Sequence, residues 1–159
     1  MGRLNKKIPR RHGGFTLLEI MVVVGLFALL VSIAIPNMVR FRQSSAAYQC
    51  ARNLVANLDQ ARNLSLRTEA EAYIKFESSG QQYEIWYNDG SDKLYKRIYI
   101  AKDYGGSISL DLSGTTEIRF ASQGFVKSVT GDKTLKVKSG ALEYDVVIEK
   151  SGKSYVKPG

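Results

Sequence analysis

The chain has 159 residues, a net charge of +8, one cysteine and one histidine. A lone Cys50 excludes an intramolecular disulfide, and a lone His12, in a basic N-terminal stretch, excludes a Cys/His metal site and any Ser/His or Cys/His nucleophilic arrangement in the rest. The length suits one domain of ordinary size beyond an apolar N-terminal segment, and the sequence offers no enzyme signature and implies no cofactor.

The charge is unevenly placed. Residues 1–14 hold Arg3, Lys6, Lys7, Arg10 and Arg11 and no acid, residues 15–126 carry 11 basic and 11 acidic side chains, and residues 127–159 carry seven lysines against four acids. Most of the excess thus lies in a short leader, which the positive-inside rule holds on the cytoplasmic side of a membrane. The remainder is only mildly basic.

From Phe15 to Ile35 the chain is apolar, interrupted only by Thr16, Glu19, Gly25 and Ser32. As a helix this stretch is about 30 Å long, the hydrocarbon thickness of a bilayer. Glu19 is the anomaly, because a carboxylate near the centre of a spanning helix costs up to about 2.5–3.5 kcal/mol and therefore asks for a partner. Three plainer readings compete. A secretory signal peptide needs an A-x-A-like cleavage site after its apolar core, whereas this one ends Ala34-Ile35-Pro36. A plain anchor leaves Glu19 beside Gly14–Phe15 unexplained, and buried core helices seldom have so long an apolar run.

A basic leader ending in Gly13-Gly14, then Phe15-Thr16-Leu17-Leu18-Glu19 and a long apolar helix with Pro36 beyond it, resembles the N-terminal signal of type IV pilins and type II secretion pseudopilins. The resemblance implies cleavage between Gly14 and Phe15 by a prepilin peptidase that also N-methylates Phe15. It makes Glu19 the family's acidic assembly residue and Pro36 the proline that bends its long helix. It further implies other pilin or pseudopilin subunits and an inner-membrane assembly platform as partners. The corresponding division is a cleaved leader (1–14), a transmembrane and assembly helix (15–36) and a periplasmic pilin-like domain (37–159).

After Pro36 the helical pattern resumes. Ala47, Ala51, Leu54, Leu58, Ala61 and Leu64 recur at spacings of three and four, predicting an amphipathic helix to about Arg67, with Cys50 beside the stripe as an inert buried thiol. Pro36 removes one helix hydrogen bond and Gly25 loosens the backbone, so a bend or local unwinding is expected upstream. From Ala70 the composition turns to strands. Residues 71–77, 83–87 and 94–100 read as an antiparallel meander, followed by strands at 107–112, 117–121, 134–138 and 142–149 and a further one around Tyr155. Ile108, Leu110, Leu112, Ile118, Phe120, Leu135, Val137, Leu142, Tyr144, Val146 and Ile148 are expected to face the helix. The fold class is α+β: a long N-terminal helix, hydrophobic then amphipathic, packed on an antiparallel β-sheet domain.

Two local patterns bear on function. Asn88, Asp89, Ser91 and Asp92 place oxygens close together, but lack the order and terminal Glu of an EF-hand and read as a hairpin turn. The segments Ile118–Val126 and Asp145–Gly152 resemble the C-terminal half of the H-type minor pseudopilins and FimT-like minor pilins. The function implied is a minor pilin or pseudopilin, a structural subunit of a type IV pilus or type II secretion pseudopilus. The alternative is a minor pilin that binds DNA for uptake through Lys150, Lys153 and Lys157 of the lysine-rich last third, with Tyr155 available for stacking.

Overall fold

The computed structural model describes residues 14–105 and 107–159, so the basic leader with Arg3, Lys6, Lys7, Arg10, Arg11 and His12 lies outside the described residues save Gly14. The chain separates into two compact units, residues 1–39 and 40–159. One helix, α1 (Leu17–Thr68), contributes to both.

In the first unit α1 is apolar on all sides and exposed: Leu17, Leu18, Phe27, Leu30 and Ile33 each keep more than half of their surface. The helix runs uninterrupted through Gly25 and Pro36, so the local unwinding expected there does not occur. Proline removes only the one hydrogen bond its nitrogen would have made, which the neighbouring turns tolerate.

The second unit is built on the rest of α1. Its buried face is Ala47, Ala51, Leu54, Leu58, Ala61 and Ser65, alternately four and three residues apart, the spacing that keeps one stripe on one side of a helix. Helix α1 ends where Glu69 adopts a left-handed backbone (φ 51°) and Thr68 turns its hydroxyl back to donate to the Leu64 carbonyl (2.8 Å).

The strands are β1 (Glu71–Phe76), β2 (Gln82–Asn88), β3 (Asp92–Tyr99), β4 (Ile108–Asp111), β5 (Glu117–Phe120), β6 (Val126–Thr130), β7 (Thr134–Ser139), β8 (Leu142–Ile148) and β9 (Ser154–Pro158), with a short helix α2 (Ile100–Tyr104) after β3. They form two antiparallel sheets, one ordered β3-β2-β1-β5-β6 and one ordered β4-β7-β8-β9. Ile74, Phe76, Ile85, Ile118 and Phe120 from the first sheet and Ile108, Leu110, Leu135, Val137, Val146 and Ile148 from the second join Leu54 and Leu58 in one core.

Four details differ from the sequence reading. The β domain is split between two sheets. Strand β6 was unanticipated because a bulge opposite Arg119/Phe120 and its edge position break the alternation of Val126 and Val129. Ile100 leaves the strand pattern to start α2, where its side chain is buried. Leu142 is exposed, because it opposes Ser139 beside the turn of the β7–β8 hairpin, while Tyr144 is only half-buried.

Two glycine turns lock the sheets together. Gly80 (φ +66°), between β1 and β2, lies so close to β4 that a methyl group there would sit 2.2 Å from the Leu110 carbonyl oxygen. Gly152 (φ +83°), between β8 and β9, stands equally close to the carbonyl of Gly124, which also accepts a hydrogen bond from Arg62 Nε of α1 (2.9 Å). No residue with a side chain combines that backbone with that clearance.

Because the core of the second unit begins at Ala46 and the single Cys50 can form no intramolecular disulfide, residues 40–159 should fold as a soluble monomer. A cooperative thermal transition unaffected by chelator or reductant checks this. In that fragment Leu58→Ala should lower the unfolding free energy by about 2–5 kcal/mol, measured by urea titration.

Candidate assembly and processing site

The junction and the acidic residue sit at the start of α1. Gly14, Phe15 and Thr16 precede the helix, and all are exposed. Thr16 caps it: its Oγ1 accepts a hydrogen bond from the Glu19 backbone N–H (3.2 Å) and its carbonyl accepts one from Ile20 N–H (3.2 Å). Threonine followed three residues later by glutamate is the capping-box pattern, in which the hydroxyl satisfies an N–H that has no partner within the helix. Glu19 therefore lies in the first turn, where the positive end of the helix dipole favours a carboxylate. Gly14 and Phe15 are exposed just outside the capped helix, and the apolar surface from Leu17 onward is unburied. Pro36 lies inside α1, within the first unit.

The lysines of the last third separate into two groups. Lys136 is paired with Glu143 (2.5 Å) and Lys138 with Asp111 (2.6 Å), across the solvent face of the second sheet. Lys150 and Lys153 stand exposed in the connection from β8 to β9, and Lys157 is exposed on β9 opposite Asp145. None of these three forms an ion pair among the described residues. Tyr155 shares the exposed face of β9 with Lys157.

The Asn88–Asp92 segment is a hairpin connection between β2 and β3. Asn88 Oδ1 accepts from Gly90 N–H (3.1 Å), Asn88 Nδ2 donates to Asp92 (2.7 Å), and Lys93 pairs with Asp89 (2.8 Å), so its oxygens are turned to neighbours within the turn. Cys50 is buried beside the α1 stripe, and burial pushes its thiol up to about 12, far from a reactive thiolate.

What sequence reasoning missed is a polar seam beside that stripe. Asn53 donates to the Tyr104 hydroxyl (2.8 Å), Asn57 to that of Tyr83 (2.8 Å) and Gln60 to that of Tyr95 (3.1 Å). The signal was present: amides at i, i+4 and i+7 follow the helical period as closely as the leucines do. Asn57 and Tyr83 are buried, and burial raises the Tyr83 phenol well above its ordinary value, so it remains protonated.

An apolar helix long enough to cross a membrane, continued into a helix packed on antiparallel sheets, has the architecture of a pilin-like subunit. Residues 9–35, which include Gly14, Phe15 and Glu19, match the prokaryotic N-terminal methylation motif. Over 54 residues the chain is 44% identical to the type IV major pilin protein PilA of Myxococcus xanthus (strain DK1622); the match takes in 34% of this chain and 24% of that protein, so it spans about a quarter of that relative's length. The fold is similar to the type IV minor pilin FimU of Pseudomonas aeruginosa (strain PAO1), with a TM-score of 0.57 at 15% identity over 74% of this chain and 92% of that one. It is also similar to the minor pseudopilin EpsH from the type 2 secretion system of Vibrio cholerae, with a TM-score of 0.55 at 11% identity over 72% and 98% of the two chains. Motif, N-terminal identity and fold agree: the chain carries a prokaryotic N-terminal methylation motif, its N-terminal part is similar to that of a type IV pilin, and its fold is pilin-like. Helix α1 is long and apolar enough, over its first part, to cross a membrane.

Removing the cap should loosen the helix start without touching the β domain. Thr16→Ala in detergent micelles should speed hydrogen exchange at the Glu19 amide by several-fold, the equivalent of about 1 kcal/mol, and leave exchange in β1 and β5 unchanged.

Proposed function

We propose that this chain is a minor pilin or minor pseudopilin, a structural subunit that waits in the bacterial inner membrane with its β domain in the periplasm and then enters a helical filament. The observation that carries the reading is the contrast within α1. Residues 17–41 present large apolar side chains that the chain leaves exposed, whereas the β domain has a complete core of its own. Such a helix needs lipid before assembly and neighbouring helices after it. Contacts of the head-to-tail kind that do not close generate filaments.

The N-terminal chemistry supplies the register. Cleavage between Gly14 and Phe15 by a prepilin peptidase creates a positive α-amine at Phe15, which the same enzyme methylates. Glu19 of one subunit then neutralises the amine of the next, because in a lipid or helix-packed environment an unpaired charge of either sign is expensive. Other pilin or pseudopilin subunits and an inner-membrane assembly platform are the partners this reading requires. The likenesses to FimU and EpsH support a minor subunit of either a type IV pilus or a type II secretion pseudopilus.

N-terminal mass analysis of protein made in a host with prepilin peptidase should show methylated Phe15 as the first residue, and Gly14→Val should leave the precursor uncut. A mature chain starting after Ala34, or no processing, overturns the assignment. Glu19→Leu should insert and fold normally yet lose most filament incorporation; assembly at the wild-type level would falsify the charge pairing. DNA uptake is separated by salt. Association with duplex DNA should be weak at physiological ionic strength and little changed by replacing Lys150, Lys153 and Lys157 with Gln, whereas tight, salt-sensitive binding abolished by that triple change would make the β8–β9 hairpin a DNA site.

A further inference from the structure

Between the second half of α1 and the edge strand β3 lies an open cleft of about 770 Å³. That volume falls within the roughly 300–1,000 Å³ of small-ligand sites. The polar seam described above lines it. Each of the three phenol oxygens accepts a hydrogen bond from a side-chain amide, which leaves each phenol its own proton to donate. Tyr95 and Tyr104 present theirs at the cleft, and Asn63, one turn beyond Gln60 on α1, is exposed with no side-chain hydrogen bond among the described residues.

The cleft wall is shaped for a ligand rather than for another strand. In the β2–β3 ladder Ile85 pairs with Lys96 and Trp86 with Leu94, so Tyr95 is the bulged residue. Bulges re-aim side chains, and this one sends Tyr95 across the cleft to Gln60 on α1. A bulge together with Lys93, Lys96 and Arg97 also blunts β3 against pairing with a further strand.

The charges select a neutral occupant. Asp59 accepts from the Ser154 hydroxyl of β9 (3.5 Å), Lys96 donates to Asn57 Oδ1 (3.2 Å) and Arg97 is held by Glu84 (2.5 Å), which leaves Asp103 and Arg67, one of each sign, without an ion pair among the described residues of the lining. An anion would meet Asp103 and a cation would meet Arg67 and Lys96. A molecule with many hydroxyls and no charge could instead use both the amides and the phenols, against the exposed ring of Tyr95. We propose that this cleft binds a neutral saccharide, a role independent of filament assembly.

The test uses the full chain in lauryldimethylamine oxide micelles, a detergent without a sugar headgroup, with isotope-labelled Asn and Gln side chains followed by NMR. The probes are N,N′-diacetylchitobiose, cellobiose and lactose, which separate an amino-sugar source from a plain hexose one, with a sulfated heparin disaccharide as the anionic comparator. At least one neutral disaccharide should move the Gln60 and Asn63 side-chain signals saturably. Tyr95→Ala and Asn63→Ala should each weaken that binding by roughly fivefold or more, with the circular dichroism spectrum unchanged. The proposal is overturned if no neutral probe gives a saturable shift, if the shift survives both substitutions, or if the heparin disaccharide binds more tightly than every neutral one.

Discussion

Everything in this molecule follows from one helix that carries two different surfaces. Up to about Phe41, α1 is apolar on every side and exposed, which in water alone is unfavourable at about 25 cal/mol per Å² of apolar surface. From Ala47 the same helix narrows its apolar surface to a single stripe, and that stripe meets the sheets. A uniformly apolar rod is a stable answer to lipid or to a bundle of like helices; a striped rod is the answer to a sheet. The sequence makes this change within a few residues, and the compact units part at the same place.

The stripe dictates how the β domain can be built. Alanines at 47, 51 and 61 bring the helix backbone close to the sheets, and Leu54 and Leu58 fill the space between them. Hydrophobic contact alone would let the helix slide or rotate on this surface, since such contact has no direction. The hydrogen bonds of Asn53, Asn57 and Gln60 to three tyrosines do have direction. Arg62, reaching the Gly124 carbonyl where the Gly152 turn closes, fixes the other side of the helix to the region where the two sheets meet. Burying Asn57 is tolerable only because both ends of its amide are bonded, to Tyr83 and to Lys96.

How much of this could be read beforehand depended on whether the signal was periodic. The stripe from Ala47 to Ala61 and the alternations Ile108–Leu110, Leu135–Val137 and Val146–Ile148 repeat with the period of their elements, and they mark buried faces. Where the backbone departs from a regular period the reading failed: Val126–Thr130 sits beside one bulge and Tyr95 forms another, and Leu142 keeps the alternation but lies beyond the core at a hairpin end. The division into two sheets is a property of long-range pairing, which no local pattern encodes. The N-terminal motif stands out for the opposite reason. A cluster of unusual choices, Gly-Phe at a charge boundary and one carboxylate in an apolar run, is unexplained by packing and therefore stands out.

Thr16 adds a point about how Glu19 could act in both environments. In a single chain the first turn of α1 offers the carboxylate the helix dipole and a cap that has already satisfied the Glu19 N–H, so the charge is partly compensated before any neighbour arrives. That compensation is small, about 0.3–1 kcal/mol at an exposed helix end, against the larger penalty of a bare carboxylate among lipid tails. The proposed pairing with a neighbouring α-amine would remove the difference and neutralise two charges at once. A residue tolerable alone but satisfied only in company favours assembly without stabilising the monomer, and it does so at the one end of α1 that lies farthest along the chain from the folded β domain.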